Sequence, residues 1–225
     1  MKKKLIIYGN GDIAEIASNY FNNSIDYNIE CFAVDDDYHD QNTFLGKPLI
    51  KFSNLKKNYS SDIYYIHIAL SYKELNQIRF NKFNIFKNLN YKFASYISDK
   101  IICGINVKFG ENCFIQENQV IQDNVTIGNN VIMWAGNHLG HSTKVGSHTY
   151  LSSHVVISGH VEIGERCFFG VNSTVKDFVK IGDDCLIGMS SKVMSNIKSG
   201  SIVIERASEV IDSKNKIAKM LKKKL

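Results

Sequence analysis

The sequence predicts a small α/β domain built on a parallel sheet, followed by a parallel β-helix and a closing C-terminal helix. Two ladders and one glycine turn carry this prediction. The first ladder steps by six residues from Ile97 through Cys103, Phe109, Ile115, Ile121, Ile127, Met133, Leu139, Val145, Leu151, Ile157, Ile163, Phe169, Val175, Ile181 and Ile187 to Val193, with no charged or polar member apart from one thiol. An α-helix needs apolar recurrence at about 3.6 residues and a simple strand at about 2. A strict six is the signature of a β-helix, in which each hexapeptide supplies one short strand and a corner. Five apolar-glycine pairs, from Phe109-Gly110 to Ile181-Gly182, recur every eighteen residues, so three hexapeptides close one coil.

The second ladder lies four residues after the first. It includes Val107, Cys113, Val125, Val131, Thr143, Thr149, Val155, Val161, Cys167, Ser173, Val179, Cys185 and Ser191, and only Gln119 and Asn137 in it are large. Small side chains there suit a narrow, close-packed interior. Coils stacked at strand spacing, roughly 4.8 Å, place each residue beneath the one eighteen positions later.

The glycine turn belongs to the first unit, expected over residues 1–95. Lys3 to Gly9 reads as a buried strand, Gly9-Asn10-Gly11 as a turn, Asp12 to Phe21 as a helix and Asn28 to Val34 as a second strand. Strand, glycine turn, helix, strand is the βαβ pattern of a parallel sheet. A further strand is expected over Ile63 to Leu70, a helix from Lys73, and a last strand near Tyr91 to Ile97. In such a Rossmann-like unit the loops at the carboxyl ends of the strands form the ligand crevice. Gly9-Asn10-Gly11-Asp12-Ile13-Ala14 is a G-x-G-x-x-A stretch. Its glycines permit a tight turn, and the helix N-terminus after it favours a phosphate. Asp35 ends the second strand, where an acid commonly meets a ribose hydroxyl. A redox dinucleotide is disfavoured, since about ninety residues leave no second half-fold for a nicotinamide.

The β-helix is expected over residues 96–198 and an extension, helical in its greater part, over 199–225, where Val210, Ile211, Ile217, Met220 and Leu221 punctuate many charges. Such a cap would cover the open edge of the last coil. Composition fits a soluble protein: 225 residues, 44% hydrophobic and 22% charged, with no signal pattern and no long apolar run. Neither secretion nor a membrane span is expected. Four of the five cysteines fall on the two ladders and no CxxC occurs, so they read as core residues in a reducing cytoplasm. The net charge of +5 favours anionic ligands. No nucleic-acid partner is expected.

A histidine-rich coil holds the candidate chemistry. His138, His141, His148, His154 and His160 are separated by three, seven, six and six residues. The last three therefore fall on equivalent corners, one per face, and do not converge. The spacing does not match the histidine pattern of the zinc-binding β-helix proteins, and no metal is expected. A neutral imidazole acting as general base at neutral pH is the competing reading.

The two units together resemble the hexapeptide-repeat sugar acyltransferases, the family of sialic acid O-acetyltransferase and the bacillosamine-pathway N-acetyltransferase. The resemblance implies a left-handed β-helix, an exception to the usual right-handed crossover. It implies that the first domain holds a nucleotide sugar through Gly9-Asn10-Gly11, Asp35-Asp36 and the loop at Ile68-Ala69. The glycine loop is shorter here than in the family and lacks its histidine, and Ala69 replaces a common glycine. It implies acetyl-CoA as co-substrate, with Tyr150, Gly159 and Val171 at cofactor-contacting positions and Cys167 to Ser173 close to a family phrase. The catalytic histidine of the family stands five residues before a repeat glycine, as His141 stands before Gly146. The acid that usually follows it is Ser142 here. Asp123, eighteen residues earlier, is the expected substitute, and Gly159, eighteen later, leaves space above. Asn137 and His138 are expected to meet substrate on an open face. Family members form homotrimers with sites at the interfaces. The expected activity is acetyl-CoA-dependent N-acetylation of a nucleotide-linked amino-deoxy sugar for surface glycan synthesis. The alternatives are O-acetylation of a sugar such as sialic acid, and a non-enzymatic trimeric sugar-binding scaffold.

Overall fold

The computed structural model describes residues 2–207 and, beyond them, Asp212, Lys214, Lys216 and Met220. The first unit contains β1 (Lys3–Tyr8), α1 (Asp12–Asn22), β2 (Tyr27–Val34), β3 (Thr43–Phe44), β4 (Lys47–Lys51), α2 (Phe52–Asn58), β5 (Tyr64–Ile68), α3 (Gln77–Asn88) and β6 (Lys92–Phe93). The sheet order is β3-β4-β2-β1-β5-β6, and every pairing is parallel except the β3–β4 hairpin. Leu5, Ile6 and Ile7 are all fully buried, because a parallel strand covered on both faces reads as a continuous apolar run. On one face Ala14, Ala17 and Phe21 of α1 pack over Leu5, Ile7 and Phe32, the i, i+3, i+7 stripe of an amphipathic helix. On the other, Leu55 of α2 and Phe83 and Phe86 of α3 cover Ile6, Tyr8 and Ile66.

Three elements lay outside the sequence reading. The β3–β4 hairpin turns on Leu45 and Gly46, both at positive φ, and Pro48 in β4 hides its strand character. Helix α2 is short and carries a single buried residue, Leu55. The helix expected from Lys73 begins at Gln77, because Glu74, Leu75 and Asn76 run at φ 52°, 49° and 66°. Three successive left-handed residues cannot enter an α-helix.

Lys92–Phe93 is still a strand of the first sheet, whereas Tyr96–Ile97 opens the β-helix. Two-residue strands then stack in three sheets of seven, six and five strands. Their partners are eighteen residues apart, as in Phe114 against Ile132 and Ile132 against Tyr150. Both ladders point inward as expected, and Ile115, Met133, Leu151 and Phe169 are fully buried alongside Cys113, Val131, Val155 and Cys167. Burial of each large member contributes roughly 1.5–3 kcal/mol. A third ladder sets the corners. Asn106, Asn112, Asn118, Asn124 and Asn130, and later Ser142, His148, His154 and His160, hold φ between 55° and 65°. Asparagine tolerates the left-handed region because its short polar side chain bonds locally. His148, His154 and His160 are therefore corner residues, each on a different corner. The repeat glycines have a steric cause: a Cβ on Gly146 would lie 2.2 Å from the carbonyl oxygen of Gly164 in the next coil.

The residue before each inward apolar position points outward, and the three faces differ. One carries Tyr96, Phe114, Ile132, Tyr150, Phe168 and Leu186. Helix α1 docks there, with Phe114, Ile132 and Tyr150 buried in the same cluster as Ala14, Ala17 and Phe21. A second carries Lys108, Thr126, Lys144, Glu162 and Lys180 and faces solvent, with Glu162 between Lys144 and Lys180. The third, left open, carries Ile102, Val120, His138, Val156, Thr174 and Lys192.

The far end departs from the expected boundaries. Ile202–Val203 adds a strand to the docked sheet and pairs with Leu186–Ile187 after sixteen residues instead of eighteen. Ile197 bridges Ile181 in the same shortened coil. Part of the 199–225 segment thus continues the β-helix, and the expected terminal helix falls mainly on residues outside the described set. Cys103, expected to be a core residue, is exposed, since the first coil has no coil beneath it. Among the described residues, no helix is long and apolar enough to cross a membrane.

Candidate functional site

Two loci collect the candidate residues. The first is a cleft of about 720 Å³ at the carboxyl ends of β1 and β5, lined by Asn10, Gly11, Asp12, Ile13, Ala69, Tyr72, Trp134 and Tyr150 among others. Gly9 lies beneath it at φ 135°, and a Cβ there would sit 2.6 Å from the Ala69 oxygen. The two strand-end loops touch at this point, and only glycine combines that φ with that contact. Gly11 caps α1 without a side-chain bond. The Ala14 and Glu15 amides donate to the Gly11 oxygen, while those of Asp12 and Ile13 have no acceptor among the described residues and can face an anion. Asn10 donates to the Tyr38 oxygen at 3.3 Å.

Asp35 and Asp36 do not line this cleft. The Asp35 carboxylate is paired with Lys82 of α3, whose ammonium also lies over the rings of Tyr8 and Phe52. Asp36 accepts from the Ser53 amide at 3.0 Å and so holds the start of α2. The Ser53 side chain, and then its amide, keep the Asp36 carboxyl below the usual range.

The floor of the cleft is aromatic. The Trp134 indole donates to the Tyr150 hydroxyl. Tyr72 meets Tyr150 at 5.0 Å and Phe168 at 4.7 Å between ring centroids, and Tyr150 stacks on Phe168 at 5.5 Å. Burial pushes the Tyr150 phenol up to about 12, so it stays a neutral donor. The same rings lead into a second hollow of about 470 Å³, which adds Ser152, Ser153, Gly170, Val171 and Met189. Tyr150 and Val171 therefore line one hollow. Gly159 lies at the next corner of the β-helix.

That corner is the second locus. The His141 amide donates to the Gln122 side chain at 2.8 Å, and its carbonyl accepts from His160 at 2.9 Å. The imidazole stands over Gly159: a Cβ there would be 2.9 Å from His141 Nε2 and 3.1 Å from Cε1. The space expected above His141 is present and filled by its own ring. The His160 ring meets it edge-on at 4.7 Å and stacks on Phe178 at 4.8 Å.

Two expectations are corrected here. Ser142 stacks on Asp123 through a 2.9 Å backbone bond, but the Asp123 carboxylate turns to the coil below and accepts from the Ile105 amide at 2.9 Å. Asn129 caps Glu111 and Asp183 caps Glu165 in the same way. Asp123 is one of a series of corner caps, and among the described residues no hydrogen bond joins it to His141. Asn137 is 1% exposed. Its amide accepts from Val155 at 2.7 Å and donates to the Trp134 oxygen. Its place on the inner ladder, where a buried amide must bond to coil corners, keeps it off the open face. His138 does project from that face and is half-buried. No group of three or more metal-ligating side chains gathers among the described residues.

The family model described as the hexapeptide repeat of succinyl-transferase matches residues 160–190 and 178–205. The acetyltransferase domain of PglB from Neisseria gonorrhoeae FA1090 superposes with a TM-score of 0.79 at 18% identity, over 89% of this chain and 96% of that one. PerB from Caulobacter crescentus, in complex with CoA and GDP-perosamine, gives 0.77 at 19%, over 88% and 92%. WeeI from Acinetobacter baumannii AYE gives 0.60 at 14%, over 91% and 97%. The chain is a Rossmann-like domain joined to a left-handed parallel β-helix. No curated protein matches it by sequence.

Proposed function

We propose that this protein is an acetyl-CoA-dependent sugar acetyltransferase, and that its acceptor is the amine of a nucleotide-linked amino-deoxy sugar. The observation that carries this reading is the pairing of a phosphate-suited cleft with an imidazole held upright at a β-helix corner. The whole-chain likeness supports it: the PglB domain has been solved with acetyl coenzyme A, and PerB with CoA and GDP-perosamine.

Gly9, Asn10, Gly11 and Ala69 would seat the nucleotide, and the ring floor of Tyr72, Trp134 and Tyr150 the sugar. The hollow at Tyr150 and Val171, and the groove beside Gly159, would take CoA. His141 would accept a proton from the amine as nitrogen attacks the thioester carbonyl. The C–N bond forms, the C–S bond breaks, and CoA leaves as the thiol. Backbone amides would hold the developing oxyanion.

The cleft and His141 occupy different corners of one coil. From Ser153 to Gly159 the chain spans up to about 20 Å at about 3.3 Å per residue. The base that serves a cleft would therefore come from a neighbouring copy, and the assembly would be a homotrimer joined through the open face. Ile102 and Val156, 71% and 41% exposed, supply apolar surface for that contact.

Mass spectrometry of products formed from acetyl-CoA and a panel of amino-sugar nucleotides tests the reading. Acetylation of one sugar amine is expected. Transfer only to hydroxyl acceptors would overturn N-acetylation, and no transfer to any sugar would leave the scaffold alternative.

A further inference from the structure

We propose that His160 is the positioning residue for His141, in place of the carboxylate that neither Ser142 nor Asp123 provides. This rests on the reading of His141 as the base. The imidazole of His141 has backbone on one side, where the missing Cβ of Gly159 leaves its ring room and no more. The ring of His160 closes another side at 4.7 Å, with its plane at 90° to that of His141. Aromatic rings favour this edge-to-face arrangement.

His160 is itself fixed twice. Its amide donates to the His141 carbonyl at 2.9 Å, and its ring lies flat on Phe178, at 4.8 Å and 6°. The corner column that contains it runs Asn106, Asn124, Ser142, His160, Phe178, all in the left-handed region. Below the histidine the column is polar and small. Where the His141 ring rises, the column changes to two stacked rings. A corner needs only a residue that tolerates positive φ, and asparagine meets that need twice in this column. The rings are thus in excess of what the turn requires: the His160 ring meets the imidazole, and Phe178 backs the His160 ring.

This geometry restricts rotation of His141 about its side-chain torsions, so that Nε2 stays directed over Gly159. A general base displaced by about 1 Å can lose on the order of 100-fold in rate. Removal of the ring at position 160 should cost turnover and leave substrate binding alone.

The variants follow from the column. His160→Asn keeps a corner residue already used at Asn106 and Asn124. His160→Phe keeps a ring at a corner that tolerates phenylalanine at Phe178. In His160→Asn, kcat is expected to fall about 10- to 100-fold, with both KM values and the melting temperature near parental. In His160→Phe, kcat is expected to return to within about threefold of parental, because the ring is restored without a titratable group. An NMR readout needs no turnover: the ring current of His141 should shift the α-protons of Gly159, and His160→Asn should abolish that shift while His160→Phe keeps it. Parental kcat in His160→Asn, or a His160→Phe variant as slow as His160→Asn, would overturn the proposal. Parental kcat in His141→Asn would instead overturn the assignment of the base. The Gly159 proton shifts would still report whether His160 holds the ring.

Discussion

Asn112, on a corner of the β-helix, hydrogen-bonds both the amide and the carbonyl of Ile68, the last residue of β5, at 2.8 and 3.4 Å. The amide of Ile68 can only donate, and this fixes the direction of a relay. Asn112 Nδ2 donates to Asn130 Oδ1 at 2.7 Å, and Asn130 Nδ2 donates to His148 Nδ1 at 2.9 Å. Arg79 of α3, fully buried and paired with no carboxylate among the described residues, donates to the Asn130, His148 and Thr149 carbonyls and to the Asn76 side chain. Burial pulls its pKa down to about 9. The corner ladder of one domain is thus the polar seam that joins it to the other, and Ala69, the next residue after Ile68, rests against Gly9 at the cleft.

Asn112→Leu should leave two buried backbone groups without partners. Each unsatisfied group costs roughly 1–3 kcal/mol, so a loss of roughly 2–6 kcal/mol and a clear fall in melting temperature are expected. Calorimetry showing parental stability would mean that water or a shifted loop replaces the asparagine.

The same seam predicts acid sensitivity. Burial, with Arg79 and Arg166 nearby, lowers His148 from 6.5 to about 4. Burial likewise lowers His67, whose Nδ1 bonds the Ala94 oxygen at 2.9 Å, to about 4. Between these limits the unfolded chain binds more protons than the folded one, so stability is complete above about pH 6.5 and falls as pH drops towards 4. For His67 the loss at pH 4 is on the order of 3 kcal/mol. Melting curves across this range should flatten in His148→Asn, which suits its corner; an unchanged slope would show that His148 does not contribute.

Gly9→Ala should raise the KM for the nucleotide sugar and leave that for acetyl-CoA unchanged. The added Cβ meets the Ala69 oxygen at 2.6 Å on a backbone at φ 135°, so the strand-end loops must separate. Equal changes in both constants would mean that the loop has only a structural role.

How much of this was legible depends on what each signal constrains. The inward ladders were visible because a closed coil tolerates no charge at its axis, and one step of six explains every member. The corner ladder was equally regular, but asparagine, serine and histidine share no hydropathy, only a tolerance of positive φ. The hairpin at Leu45-Gly46 and helix α2 left no periodic trace at their length. At the site, stacking by eighteen placed Asp123 beneath His141 correctly. It could not say which way the carboxylate turns, and Asn129 and Asp183 show that this position serves the coil below. Asp35 had the same ambiguity, resolved by Lys82 from a helix far along the chain.

The open face predicts the assembly. Light scattering should return about three times 25.5 kDa. Val156→Asp places a charge on the open face between His138 and Thr174 and should yield a folded monomer without activity, since burying an unpaired charge is strongly unfavourable. An active monomer would place the base and the cleft within one copy.

The last prediction separates His141 from its surroundings. General-base catalysis contributes roughly 10²–10⁴-fold, so His141→Asn should lower kcat by about that factor with both KM values near parental. Gly159→Ala should approach the same loss by a different route. Its new methyl carbon falls 2.9 Å from His141 Nε2, and the imidazole can swing aside at little cost to folding, so stability should hold while kcat falls. The double variant should be little worse than His141→Asn alone, because groups that act as one unit are not additive. Asp123→Asn should be nearly silent on kcat, since asparagine caps the equivalent corner at Asn129 by the same bond to the coil below. If Asp123→Asn instead matched His141→Asn in its effect, the carboxylate would have to turn upward in the assembled enzyme and release Ile105. A loss of stability in Asp123→Asn, measured with and without acetyl-CoA, would then report that exchange of partners.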